Sequence, residues 1–112
     1  MMDLPDALED VEVVVTDFTT GEEIATGRCD FDLTEQKDRY GNLRSRFSGV
    51  FRPAKMADVE ALKRRLLAGF SAGTVAHNII LTYGDRTYSF TVKFEVGDRS
   101  FPFTGRARPA II

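Results

Sequence analysis

The sequence predicts an α+β domain that is mainly β, with six antiparallel strands in the order βββ-α-βββ and one amphipathic helix between strands 3 and 4. Apolar residues alternate with polar ones over most of the chain, which is the pattern of half-buried strands. One stretch after Pro53 changes to helical spacing, and glycine-containing turns separate the apolar runs. We expect a small curved sheet or a closed barrel, and the sequence leaves barrel and sandwich both open.

The composition indicates one globular domain. The chain has 112 residues, of which 43% are hydrophobic and 29% are charged, as in ordinary globular proteins. We expect residues 11–112 to form a single β-rich domain and residues 1–10, which are acidic and include Pro5, to form a flexible arm. A single cysteine, Cys29, cannot form a disulfide within the chain, and the N-terminus lacks the pattern of a signal peptide. These features predict a cytoplasmic protein, and without an apolar run of about 20 residues we expect no membrane span.

The first two strands are predicted as a hairpin. Valines alternate with polar residues from Val11 onward, and Gly21 suits the left-handed position of a short hairpin loop. This loop places Val11 opposite Cys29 and Glu12 opposite Arg28. The small and apolar residues of both strands then share one face.

A polar connection, residues 34–42, is expected to lead into the third strand. The predicted register sets Asp32 opposite Arg44 and Asp30 opposite Arg46. Each such cross-strand pair contributes about 0.2–1 kcal/mol, which helps to fix the register.

Charge is distributed unevenly along the chain. Residues 1–38 hold twelve acidic and two basic side chains, and residues 39–112 hold five acidic and thirteen basic ones. This asymmetry has two interpretations: a basic surface for nucleic acid beside an acidic segment, or two halves that neutralise each other within the fold. The predicted pairing of aspartates with arginines favours the second.

One helix of about three turns is predicted after Pro53, because apolar residues recur there at spacings of three and four. Basic residues 63–65 lie near its expected end, which matches the helix dipole, and Gly69 is the predicted stop. The apolar residues of the pattern are Met56, Val59, Leu62, Leu66 and Phe70.

Three further strands are predicted after the helix. The repeated phrase Gly-Asp-Arg, at residues 84–86 and 97–99, indicates two two-residue hairpin turns between them. With a two-residue turn at Gly97, Pro102 is expected opposite Lys93 in a non-hydrogen-bonded pair, so its missing N–H points away from the central strand of these three. This predicts an edge or a break in pairing on the outer side of the last strand. The predicted cross-strand pairs are Leu81–Tyr88, Ile79–Phe90, Phe94–Phe101 and Val92–Phe103.

Few residues are candidates for catalysis or metal binding. We expect Cys29, on the core face, to be a buried structural thiol, and His77, the only histidine, to be a polar residue at a strand start. A metal site would depend on carboxylates, because no second histidine or cysteine exists. Asp30 and Asp32 share one strand face, but their expected pairing with arginines favours a structural role. We therefore predict no catalytic residues, no metal and no cofactor.

The leading functional hypothesis is a small non-enzymatic binding or assembly module that acts through protein–protein contacts, a homodimer included. Its predicted contact residues are Pro102, at the expected edge, and Ile111 and Ile112 at the C-terminal end.

The alternative hypothesis is binding of single-stranded nucleic acid or a phosphorylated ligand. It depends on a basic stretch interleaved with aromatics, although strand alternation places Phe47 on the opposite face and the pI is near 5.4. A third hypothesis, an enzyme or small-molecule carrier with a pocket in the barrel mouth, is favoured least. The residues of the alternative site are Arg39, Tyr40, Arg44, Arg46 and Arg52.

Overall fold

The computed structural model describes residues 5–72, 76–106 and 110–111, with the main chain alone described for 36, 43–45, 70–72, 106 and 110–111. Within these residues the elements follow the predicted order, with one helix between the third and fourth strands. They are β1 (Ala7–Asp17), β2 (Glu23–Lys37), β3 (Leu43–Pro53), α1 (Met56–Ala72), β4 (His77–Tyr83), β5 (Arg86–Phe94), β6 (Phe101–Arg106) and the short β7 (Ala110–Ile111).

The sheet closes on itself as a six-stranded antiparallel barrel. Strand β1 lies between β4 and β2, β3 lies between β2 and β6, and β5 pairs with both β6 and β4. The predicted fold class is confirmed, and the pairing of β4 with β5 decides for a barrel rather than a sandwich. Because β4 occupies one edge of β5, the two residues of β7 lie on the other edge, beside β6.

Aromatic rings fill the interior of the barrel. The rings of Phe47 and Phe90 stack with their centroids 4.0 Å apart, and Phe31 lies 4.9 Å from Phe47. Gly49 makes room for this packing, because a Cβ there would lie 1.9 Å from the Asp30 carbonyl oxygen and 2.9 Å from the ring of Phe103. Inward-facing side chains from β1 to β6 therefore form the core together with the helix.

Helix α1 covers one end of the barrel. Val59, Leu62 and Leu66 are buried, as predicted. The prediction that Gly69 ends the helix is wrong, since α1 runs to Ala72 and its last turn has no basic residue. Gly69 is itself buried and continues the inward stripe, so packing offsets the roughly 1 kcal/mol helix penalty of glycine. Within the described residues, this helix is not long and apolar enough to cross a membrane.

Two of the predicted hairpins are confirmed in register. In the β1–β2 hairpin, Val11 lies opposite Cys29 and Glu12 opposite Arg28; in the β4–β5 hairpin, Leu81 lies opposite Tyr88 and Ile79 opposite Phe90. Gly21 and Gly84 have φ values of 75° and 64°, the left-handed backbone that both turns require.

The β2–β3 register differs from the prediction by four residues. Leu33 lies opposite Phe47 instead of Leu43. The strands continue through residues 34–37 and are joined by the short turn 38–42, whereas the whole of 34–42 was expected to be a connection.

The predicted pairs of Asp30 with Arg46 and Asp32 with Arg44 are therefore wrong as opposed positions. Asp30 lies opposite Val50, and Asp32 lies opposite Ser48. The shift is even, so every side chain keeps its predicted face.

The β5–β6 register is also shifted, by two residues. Phe94 lies opposite Phe103, not Phe101 as predicted, and Val92 lies opposite Gly105. Residues 95–100 form a six-residue connection instead of a two-residue turn at Gly97 and Asp98.

Strand β6 is not an edge, so the position predicted for Pro102 is wrong. Pro102 lies opposite Val50 of β3, and its carbonyl oxygen accepts a hydrogen bond from the Glu95 N–H at 2.8 Å. The N and O of one strand residue point to the same side, so the missing N–H of Pro102 faces β5. The proline thus removes a single bond at the end of the β5–β6 ladder, and the β3–β6 ladder is left complete.

The N-terminal segment is ordered earlier than predicted. Strand β1 begins at Ala7, so residues 7–10, which were expected to be part of a flexible N-terminal segment, lie in the sheet. Leu8 pairs with Phe31. A bulge interrupts this pairing before Val11, and Asp10 has a φ of 51° there.

Candidate functional site

An ionic network surrounds the β1 bulge on the outer face of β1, β2 and β3. Arg52 lies 2.9 Å from Asp30 and 3.3 Å from Asp10. Arg28 lies 3.0 Å from Asp10 and 3.3 Å from Glu12. The hydrogen bond from Arg52 lowers the pKa of Asp30 below its ordinary value. Arg52, predicted as a ligand-binding residue, is thus occupied by two carboxylates.

The turn between β2 and β3 presents Arg39 and Tyr40 to solvent. Asp38 shapes this turn, since its Oδ1 accepts hydrogen bonds from the main-chain N–H of Tyr40 at 2.9 Å and of Asn42 at 3.0 Å. Gly41 adopts the left-handed conformation that closes the turn, with a φ of 80°. Tyr40 is 79% exposed, which makes it the most accessible aromatic residue in the described part of the chain.

Residues 34–45, called the arm, extend beyond the neighbouring strands. Among the described residues, the β1–β2 pairing ends at Asp32 and the β3–β6 pairing ends at Arg46. Residues 34–37 and 43–45 pair with each other across the arm. The arm therefore leaves the end of the barrel opposite α1 and carries Tyr40 at its tip.

A groove on the outer face of β3, β6 and β5 brings Arg46 together with residues distant in sequence. Lys93 of β5 lies opposite Thr104 of β6, and both residues line an open groove of about 560 Å³ with Arg46. We call it the cationic groove. Its full lining is Arg46, Ala76, Thr91, Val92, Lys93, Thr104 and Gly105.

The described residues predicted for nucleic-acid or phosphorylated-ligand binding lie at three places in the fold. Arg39 and Tyr40 lie at the tip of the arm, Arg46 lies in the cationic groove, and Arg52 lies at the far end of β3 in the ionic network. The side chain of Arg44 lies outside the described residues.

Of the three predicted partner contacts, the structure describes Pro102 and the main chain of Ile111. Pro102 lies within the closed sheet between β3 and β5. The main chain of Ile111 lies in β7 opposite Tyr88, whereas its side chain and the whole of Ile112 lie outside the described residues.

A buried cluster beneath α1 joins the helix to β1 and β4. Arg65 donates a hydrogen bond through Nε to His77 Nε2 at 3.3 Å and forms an ion pair with Asp17. Main-chain N–H groups of Thr20 and Thr19 also bind Asp17, and with Arg65 they lower its pKa to about 2. The sequence predicted His77 at a strand start, as found, but not this cluster.

His77 is held in its neutral form. Its side chain is fully buried and its ring lies 5.6 Å from that of Phe94. Burial, with Arg65 acting in the same direction, lowers the pKa of His77 to about 4. Because Nε2 accepts from Arg65, the proton is on Nδ1, and this atom has no hydrogen-bond partner among the described residues.

The one cysteine and the one histidine of the chain are both buried. Cys29 is buried, as predicted, and burial raises the pKa of its thiol to about 12. No group of three or more His, Cys, Asp or Glu side chains among the described residues is arranged to hold a metal ion.

Sequence reasoning missed Lys93, Thr91 and Thr104 as partners of Arg46. Their outward positions follow from strand alternation, but nothing in the sequence indicates that β6 joins β3 to β5. The comparisons with protein-family models, curated proteins and solved structures gave no match.

Proposed function

We propose that the protein is a cytoplasmic, non-enzymatic binding module that acts through protein–protein contacts made by the arm. The observation that carries this proposal is the exposure of Tyr40, at 79%, on the tip of a hairpin that extends beyond the described parts of its neighbouring strands. Tyrosine and arginine are enriched in protein interfaces, where an amphipathic ring provides contact area and a polar tip. Arg39 lies beside Tyr40 and is also exposed.

The chemistry of the rest of the chain supports a non-enzymatic function. The one cysteine and the one histidine are both buried, and a reactive thiolate or a general base must reach its substrate. A lone buried thiol also agrees with a reducing, cytoplasmic setting.

The arm's composition supports side-chain contacts over strand addition. Glu35 and Lys37 are exposed on β2 near the tip, and charged residues on a strand edge disfavour pairing with another chain. We therefore assign recognition to Tyr40 and Arg39.

The test compares wild-type protein with Tyr40→Ser and with a control variant, Phe18→Ser. Phe18 is 55% exposed in the β1–β2 loop at the opposite end of the barrel, so its loss removes a similar exposed ring. Light scattering measures self-association, and affinity capture with mass spectrometry measures association with other proteins. We expect a dimer, or a captured protein, that persists with Phe18→Ser and is lost with Tyr40→Ser. A monomer whose captured proteins are unchanged by Tyr40→Ser would refute the proposal.

A further inference from the structure

The cationic groove holds two basic side chains that have no acidic partner in the described part of the chain. Arg28, Arg52, Lys63 and Arg65 each lie within 4.0 Å of a carboxylate. Among the described residues, by contrast, neither basic residue of the groove has an ion pair, although both are exposed on the same outer face. Two like charges that face one groove repel each other, and an anion bound between them relieves that repulsion.

Strand geometry places these two cations at a distance that a ligand can bridge. Arg46 lies on β3 and Lys93 on β5, with β6 between them. Two strand spacings and an offset of two residues separate their Cα atoms by about 12 Å. Both side chains are long enough to converge over the strand between them, where Thr104 lies.

The hydroxyl groups of the groove differ in their capacity to donate. Thr91 donates its hydroxyl proton to Asn78 Oδ1 at 2.9 Å, so Thr91 has no proton left to donate to a ligand. Thr104 has no side-chain partner among the described residues and retains its proton for a ligand. A guanidinium, an ammonium and a hydroxyl donor together match the oxygens of a phosphate group.

The size and remaining lining of the groove indicate what else the ligand carries. A volume of about 560 Å³ lies within the range of about 300–1,000 Å³ found for small-molecule sites, and it exceeds the needs of a lone phosphate ion. Ala76 provides apolar surface, while the described lining contains no aromatic ring on which a base could stack. Recognition would therefore depend on the phosphate, not on base stacking.

We propose that the cationic groove binds a phosphate-bearing ligand of about the size of a nucleotide, with Arg46 and Lys93 as the phosphate contacts and Thr104 as a further donor. This site is separate from the arm tip, so it stands independently of the protein-binding function proposed for Tyr40.

The test measures binding of a nucleoside monophosphate, its nucleoside, a sugar phosphate, inorganic phosphate and a single-stranded oligonucleotide by calorimetry at low salt. The groove variant is Arg46→Gln with Lys93→Gln, and the control is Arg99→Gln with Lys55→Gln, which removes the same charge from exposed positions outside both the groove and the arm. All four positions are exposed, and thermal unfolding verifies that both variants remain folded.

We expect the nucleoside monophosphate or the sugar phosphate to bind with a stoichiometry of one, and the nucleoside not to bind. The groove variant should weaken binding about ten-fold or more, because each charge-assisted contact is worth roughly one order of magnitude in affinity, whereas the control should bind like the wild type. Binding of the oligonucleotide alone, equal weakening in both variants, or no binding of any phosphate compound would overturn the proposal.

Discussion

Acidification from pH 7.5 to 5.5 should destabilise the protein through His77, the only histidine in the chain. An exposed histidine in the unfolded chain has a pKa of 6.5, whereas burial in the folded protein lowers the pKa of His77 to about 4. Between these values the unfolded state binds a proton that the folded state does not, so stability falls as the pH falls. The two pKa values predict a loss of about 1.3 kcal/mol between pH 7.5 and 5.5, and a total of about 3 kcal/mol once the pH is below 4.

Urea denaturation at both pH values measures this loss, and His77→Gln is the matched control. Glutamine does not titrate, and its side-chain oxygen can still accept the hydrogen bond from Arg65 Nε. The prediction concerns the change in stability between the two pH values, which should be small in His77→Gln whatever the stability of the variant at pH 7.5. The same pH-dependent loss in both proteins, or none in the wild type, would refute the assignment of a buried neutral imidazole.

Three substitutions and one chemical treatment further test the fold. Gly49→Ala should lower the free energy of unfolding by about 3 kcal/mol or more, because its Cβ would lie 1.9 Å from the Asp30 carbonyl oxygen. Gly21→Ala should lower it by about 1 kcal/mol, because the space around Gly21 is open and only its φ of 75° is unfavourable for alanine. Urea denaturation of both variants distinguishes steric overlap from backbone strain. Cys29 should resist a thiol reagent in native buffer and react fully in denaturant, since it is buried and burial raises the pKa of its thiol to about 12; rapid native labelling would contradict its place in the core. Arg52→Gln should cost less than about 1 kcal/mol, because its ion pairs are about half exposed, and the difference should shrink in high salt; a large, salt-independent loss would contradict this.

Strand faces were predictable from the sequence, while strand registers were predictable only where the bounds of the turn were identified correctly. Alternation of apolar residues defines which side chains point inward regardless of the neighbouring strand, so even the shifted β2–β3 pairing kept every face. The Gly84 turn is two residues long and fixed its register directly. The polar strand segment 34–37 has no apolar alternation, and for this reason it was predicted to be a loop.

The second Gly-Asp turn could have been excluded by counting. Residues of an antiparallel strand bond alternately to the two neighbouring strands. A two-residue turn at Gly84 directs the main-chain N–H and C=O of Arg86 toward β4. Because the direction alternates along the strand, the main-chain groups of every even-numbered residue of β5 then point toward β4. A two-residue turn at Gly97 would require Val96, also even-numbered, to bond toward β6. Both turns are incompatible in one regular strand, and the longer connection 95–100 resolves the conflict.

The candidate sites were less predictable than the fold, because they combine residues that only the barrel's closure brings together. Arg46 and Lys93 line one groove across β6, and Arg65 contacts His77 only because α1 covers the end of the barrel where β4 begins. Composition and local pattern contain no information about either arrangement.

Closure of the barrel also explains how one uneven charge distribution produces two different surfaces. Where β1 and β2, from the acidic half of the chain, adjoin β3, carboxylates meet arginines and form the network around Asp10. On its other edge β3 adjoins β6, and β6 and β5 both derive from the basic half, so Arg46 and Lys93 face each other with no carboxylate supplied by the strand between them. The two interpretations of the charge asymmetry therefore apply to opposite sides of β3. Neutralisation within the fold accounts for Arg52, and an unneutralised basic surface accounts for Arg46, so a substitution of either arginine should affect a different property of the protein.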